Sequence, residues 1–75
     1  MMITLEVSPT LERWEKADLR IRPLIAEAML EYRGRAERDG IEPEEVRVPS
    51  PFGTIVFKAR HTPAGTVYRA IAEEE

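Results

Sequence analysis

Hydrophobic and polar positions alternate at the start of the chain. Ile3, Leu5 and Val7 are separated by polar residues, which is the two-residue period of a strand with one buried face. Ser8 followed by Pro9 is typical of a helix start, because the serine hydroxyl caps the first turn and the proline has no N–H to leave unpaired. The pattern therefore predicts a strand followed by a helix.

Apolar residues then recur at helical spacing until Pro23 interrupts them. Proline lacks a backbone N–H and crowds the preceding turn, so we predict a break or kink just before it. The first helix is predicted to have an apolar stripe of Leu11, Trp14, Ala17 and Ile21. The second is predicted over residues 23–39, ending at Gly40, with a stripe of Leu24, Ile25, Ala28, Met29, Tyr32 and Ala36. Leu19 and Leu30 lie off these stripes, and at least one is expected to be exposed.

The rest of the sequence is rich in strand-forming residues and turns. Val46 and Val48 begin a second strand, residues 54–60 form a third and residues 66–71 a fourth. Residues 62–65, with proline second and glycine fourth, predict a type I turn and a hairpin. Residues 73–75 are expected to be a frayed acidic tail.

The predicted order of elements, β-α-α-β-β-β, indicates an α+β fold. Two helices, or one kinked helix, are expected to pack on one face of a small, mostly antiparallel sheet. A chain of 75 residues is expected to form a single domain over residues 1–75.

Charge is sorted along the chain, and this sorting points to a functional surface. The chain has a formal net charge of -3, yet no Asp or Glu occurs in residues 46–72. That segment carries Arg47, Lys58, Arg60, His61 and Arg69. If Ile55 and Phe57 face the helices, Lys58 and Arg60 face away, and neighbouring strands would add Arg47 and Arg69 to a basic patch. The alternative is a solvated face whose cations pair with Glu73, Glu74, Glu75 or helix carboxylates.

Few residues suited to catalysis or metal binding are present. The chain has no Cys and one His, while Ser8 is a predicted cap and Ser50 lies in a proline-rich loop, so no hydrolytic triad is indicated. His61 has no acidic residue within ten positions, and the glycines form no phosphate-binding motif, so neither a metal nor a cofactor is expected. The absence of Cys, of a signal sequence and of a long apolar run predicts a soluble, unprocessed cytoplasmic protein without membrane association.

Several local sequences, together with the order of elements, resemble the RelE/ParE-type toxins of toxin-antitoxin modules, including the phage-derived HigB-like branch. The first strand followed by LERWEK (residues 11–16) resembles that family's strand and first helix. FKAR (57–60), the turn with Gly65 and VYRAI (67–71) resemble its paired central strands.

That resemblance implies a metal-independent endoribonuclease. Lys58, Arg60 and Arg69 would bind and polarise the scissile phosphate, with His61 as a further candidate. Two features differ from the family. Its members usually continue beyond the Tyr-Arg strand into a further segment with functional residues, and they are usually basic, whereas this chain has a sequence pI near 5.2. A low pI weakens the attraction to RNA.

The leading hypothesis is a non-enzymatic interaction module, encoded by a phage or mobile element, that binds a macromolecular partner. Protein is the first candidate partner, and nucleic acid at the basic sheet face is the second. The predicted contact residues are Arg47, Lys58, Arg60, Arg69 and Phe52, the last of which is alternatively a residue that closes the core. The other hypotheses are the RelE-like toxin and a subunit of a phage particle or another homo-oligomeric assembly.

Overall fold

The computed structural model describes the backbone of residues 2–74 and the side chains of residues 4–74. Its elements are β1 (Met2–Val7), α1 (Pro9–Ala17), α2 (Ile21–Asp39), β2 (Val46–Ser50), β3 (Gly53–Thr62) and β4 (Gly65–Glu74). The predicted α+β class and the order β-α-α-β-β-β are confirmed.

The strands form one mixed sheet in the spatial order β1-β4-β3-β2. The pairs β2/β3 and β3/β4 are antiparallel, whereas β1 runs parallel to β4. The two helices make the connection from the edge strand β1 to the opposite edge, β2. The sheet is therefore mostly antiparallel, with β1 and β2 as its edge strands.

Local hydrogen bonds explain where the helices begin and end. The Leu11 N–H donates to the Ser8 hydroxyl over 3.3 Å, which caps α1 as predicted. α1 ends because the backbone adopts an extended conformation at Asp18. The Asp18 side chain accepts a hydrogen bond from the Arg20 N–H over 2.9 Å, just before α2 begins. Pro23 is consequently in the first turn of α2, where a missing N–H leaves no helical bond unmade. The chain thus has two helices, and Ile21 belongs to the second.

The core lies between the helices and one face of the sheet. Its centre is Phe57, whose ring lies 5.7 Å from that of Tyr32 and 5.5 Å from that of Tyr68, measured between ring centroids. The buried apolar residues around it are Leu11, Trp14, Ile21, Ile25, Ala28, Val46, Val48, Ile55 and Ala70. The opposite face of the sheet carries no helix, and we call it the outer face.

Three predictions need correction or completion. The acidic tail is not frayed at its start, because Glu73 and Glu74 belong to β4 and pair with Thr54 and Gly53 of β3. Glu75 lies outside the described residues. Leu19 and Leu30 are both exposed, at 89% and 70%. In the described part of the chain, no helix has the length and apolarity that a membrane span requires.

Candidate interaction surfaces

The strand register brings four of the predicted site residues to the outer face. Residues directly opposite each other in a sheet share a face, and successive residues of one strand alternate between faces. Lys58 is opposite Arg69, Arg60 is opposite Val67, and Arg47 is opposite Val56. Because Phe57 between Lys58 and Val56 is in the core, all four cations point away from the helices. We call Arg47, Lys58, Arg60 and Arg69 the basic cluster.

Carboxylates from elsewhere in the chain meet most of the basic cluster. Arg47 donates to Glu45 over 2.6 Å and also to Glu73, and these contacts, led by the hydrogen bond to Glu45, raise the pKa of Arg47. Arg69 Nε lies 3.6 Å from a carboxylate oxygen of Glu6, and Lys58 Nζ lies 3.9 Å from Glu45. The partners come from β1, β4 and the connection before β2, and none comes from a helix. Most cations of the segment that lacks acidic residues therefore lie close to carboxylates in the folded chain.

Arg60 differs from the other members of the basic cluster. Its side chain is exposed, and no carboxylate of residues 4–74 forms an ion pair with it. It lies diagonal to Arg69, which is itself directly opposite Lys58. Like charges in such positions repel one another. Arg60 is therefore the least compensated cation of the basic cluster.

His61 lies on the other side of the sheet from the basic cluster. It follows Arg60 in β3 and shares the helix-facing side with Phe57, so the four residues implied by the toxin resemblance do not converge. Its Nδ1 is 3.1 Å from the Thr66 hydroxyl, and its Nε2 contacts the Glu42 carboxylate. This acidic partner comes from the connection between α2 and β2, which is why no acidic residue near His61 in sequence revealed it.

The negative charge of the same carboxylate also acts on a buried tyrosine, Tyr32. Burial of its ring is the main cause that raises the pKa of Tyr32, and the negative charge of Glu42 is the next. Glu42 thus ties the connection before β2 to the end of the sheet where β3 turns into β4. The Tyr32 hydroxyl, the His61 imidazole and the Glu42 carboxylate do not line a pocket that excludes water, because His61 and Glu42 are exposed.

Phe52 packs at the end of the core, is partly exposed and stands apart from the basic cluster. It lies in the turn between β2 and β3, and its ring is 5.7 Å from that of Trp14, on the helix side of the sheet. It is 41% exposed, so it closes the end of the core and still presents part of its ring to solvent. The structure does not join it to Arg47, Lys58, Arg60 or Arg69 in one surface.

An apolar groove lies beside the edge strand β1, where the sequence predicted no site. It encloses about 450 Å³ and is lined by Leu5, Val7, Ile25, Ala26, Met29 and Leu30, with Glu15 and Arg22 at one end. We call it the β1–α2 groove. Leu5 is 42% exposed and Leu30 is 70% exposed. Glu15 and Arg22 approach each other to 3.5 Å and close that end with an ion pair.

The groove exists because the helices are shifted towards the other strands. α2 packs on β2 and β3, and α1 packs on β4, so the helix-facing side of β1 is only partly covered. The alternation of Leu5 with polar residues correctly marked the side of β1 that faces the helices, although Leu5 itself is not buried. It could not show that β1 is an edge strand. The one signal in the sequence was Leu30, which lies off the apolar stripe of its helix.

No group of three or more side chains suited to holding a metal ion occurs among the described residues. Comparisons of the chain with protein-family models, with curated proteins and with solved structures find no match. The fold and its surfaces define a small α+β domain with an open, charged sheet face and an apolar groove at one sheet edge.

Proposed function

We propose that this chain is a non-catalytic protein-interaction module whose partner docks in the β1–α2 groove. The observation that carries the proposal is the joint exposure of Leu5 and Leu30 in one groove. A single exposed leucine is ordinary, whereas apolar side chains that line a shared groove are typical of a surface that another molecule covers. Burying such surface contributes roughly 25 cal/mol per Å².

The charges favour a protein partner over a nucleic acid. Phosphate contacts draw their strength from free cations that displace counterions. Arg47, Lys58 and Arg69 already have carboxylates nearby, so a polyanion would have to approach Glu6, Glu45 and Glu73 as well. The net charge of -3 opposes that approach further. A partner that docks in the β1–α2 groove would not have to approach these carboxylates.

Two substitutions that each introduce a negative charge test the docking site. The tagged full chain would be compared with Leu30→Asp and with the matched control Ile41→Asp, since Ile41 is also exposed, at 76%, but does not line the groove. Each tagged chain would be incubated with a cell lysate, and the proteins it retains would be quantified by mass spectrometry. Specific partners are expected to be lost with Leu30→Asp and kept with Ile41→Asp. Partners retained equally by Leu30→Asp would contradict the proposal.

A second candidate, the RelE-like endoribonuclease, is favoured by one observation. Lys58, Arg60 and Arg69 are neighbours on the outer face, which is the arrangement that phosphate binding requires. Induced expression in a bacterium tests it: growth arrest relieved by Arg69→Ala, with RNA cleavage lost in Arg60→Ala, would support this activity. Arg38→Ala is the control, because Arg38 lies on α2 and outside the basic cluster. Harmless expression would count against it.

A further inference from the structure

β1 has an open edge. Leu5 and Val7, whose side chains line the groove, point their backbone hydrogen-bonding groups towards that edge. The Ser8 N–H donates to the Ala70 carbonyl of β4 over 3.0 Å. Backbone groups alternate in direction along a strand, so Glu6 points its N–H and C=O towards β4, while Leu5 and Val7 point theirs away. No strand pairs with β1 on that side within residues 2–74. Leu5 and Val7 therefore offer apolar side chains to the groove and free hydrogen-bonding groups to the edge.

Cations mark both ends of the apolar stripe on the facing helix. Arg22, Ala26, Leu30 and Arg33 recur at spacings of three or four residues, so they share one side of α2. Arg22 is paired with Glu15. Arg33 is exposed, and no carboxylate of residues 4–74 forms an ion pair with it. The apolar stripe of α2 that borders the groove is thus followed, one turn further on, by a cation without an ion-pair partner among residues 4–74.

We propose that the partner contributes an extended segment that adds to β1 as a fifth strand, with a carboxylate beside Arg33. This inference rests on the proposed function and specifies its binding mode. Alternate apolar side chains of the segment would fill the β1–α2 groove, while its backbone would pair with Leu5 and Val7. A docked helix would fill the groove but leave those backbone groups unpaired. A second copy of the chain would bring another Arg22 and Arg33 to the groove, and the carboxylate it brings there, Glu15, is already paired with Arg22.

The position of α2 sets where the carboxylate lies. The start of α2, at Arg22 and Ile25, lies beside Val7, whereas Tyr32 packs against Tyr68, the register partner of Leu5. α2 therefore runs antiparallel to β1, and Arg33 lies towards the N-terminal half of β1. The carboxylate is therefore near the C-terminus of a segment that runs antiparallel to β1, or near the N-terminus of a parallel one.

Synthetic peptides test this mode on the full chain. Two probes would alternate valine and threonine, one with a glutamate pair at its N-terminus and the other with the pair at its C-terminus. NMR titration with one of them is expected to shift the amide signals of Leu5 and Val7 and to slow their hydrogen exchange. Arg33→Ala is expected to weaken binding about two- to fivefold, the range for an exposed ion pair, and Arg38→Ala to leave it unchanged.

Methylated probes separate strand addition from simple apolar contact. Methylating the peptide nitrogens that face β1 is expected to abolish binding, while methylating the alternate nitrogens is expected to preserve it. Equal binding of both methylated forms, no binding of either parent peptide at about 1 mM, or self-association of the free chain through β1 would each overturn the inference. Those results leave the Leu30→Asp comparison intact, so failure of the binding mode is distinguishable from failure of the proposed function.

Discussion

Replacing Gly53 by alanine is the sharpest test of the register that places the basic cluster. Gly53 begins β3 with φ +150°, a conformation that side chains rarely adopt. A Cβ there would lie 2.5 Å from the Glu73 carbonyl oxygen, 3.3 Å from the Glu74 Cα and 3.1 Å from the Trp14 ring. The first two atoms are backbone of β4, which cannot move without breaking its pairing with β3. We expect strain and overpacking to cost about 2–4 kcal/mol.

Gly34 provides the matched control within the same chain. It lies in α2, and a Cβ there would meet no atom within 4 Å. Alanine at this position is expected to raise the free energy of unfolding by about 0.5–1 kcal/mol, because glycine is the poorer helix former. The same chemical change is thus expected to have opposite effects at the two sites.

Equilibrium urea unfolding, followed by circular dichroism and by Trp14 fluorescence, measures both variants. The stability of a chain this small is expected to be about 3–5 kcal/mol, so a cost of about 2–4 kcal/mol should leave Gly53→Ala only marginally stable at 25 °C, and a stabilising osmolyte would define its folded baseline. The difference between the two variants is expected to be about 3–5 kcal/mol. Unfolding free energies within about 0.5 kcal/mol of each other would refute the close approach of β3 to β4, and with it the register of the outer face.

Two further predictions concern the ends of the helices. The hydrogen bond from the Arg20 side chain, followed in size by that from its backbone, lowers the pKa of Asp18 from 3.8 to about 2. Because the pKa is lower in the folded state, the ionised Asp18 stabilises the fold. This contribution is fully present above pH 3.8 and is lost as the pH falls through about 2. An NMR titration should therefore find the Asp18 midpoint near 2 and see it rise towards 3.8 in Arg20→Gln. Ser8→Ala should lower the free energy of unfolding by about 1–2 kcal/mol, because the hydroxyl accepts N–H groups from Leu11 and Ala72. Thermal unfolding checks this against Thr10→Ala, whose only described side-chain hydrogen bond is exposed and which is expected to change little.

Features that depend on neighbours in sequence could be predicted from the sequence. The alternation in β1, the serine cap of α1 and the left-handed Gly40 that ends α2 each follow from local backbone chemistry. Pro23 correctly indicated two helices, although its tolerance in the first turn places the start of α2 at Ile21. The alternation in β3 was also enough to place Lys58 and Arg60 on the face opposite Phe57.

Features that depend on strand order could not be predicted in this way. The parallel pairing of β1 with β4 brings Glu6 beside Arg69, and no pattern in either strand encodes that neighbour. The same pairing makes β1 an edge strand and leaves Leu5 exposed in the groove. Glu42 reaches His61 only through the fold of the connection before β2.

The β1–α2 groove as the docking surface is the central claim, and the affinity of a purified partner tests it most directly. The dissociation constant would be measured by calorimetry for the unmodified chain, for Leu30→Ser and for Ile41→Ser. Removing a buried leucine contact is expected to weaken binding at least about tenfold for Leu30→Ser, and less than about twofold for Ile41→Ser. Equal affinities for the two variants, with a marked loss in Arg60→Ala instead, would move the docking surface to the outer face and contradict the account.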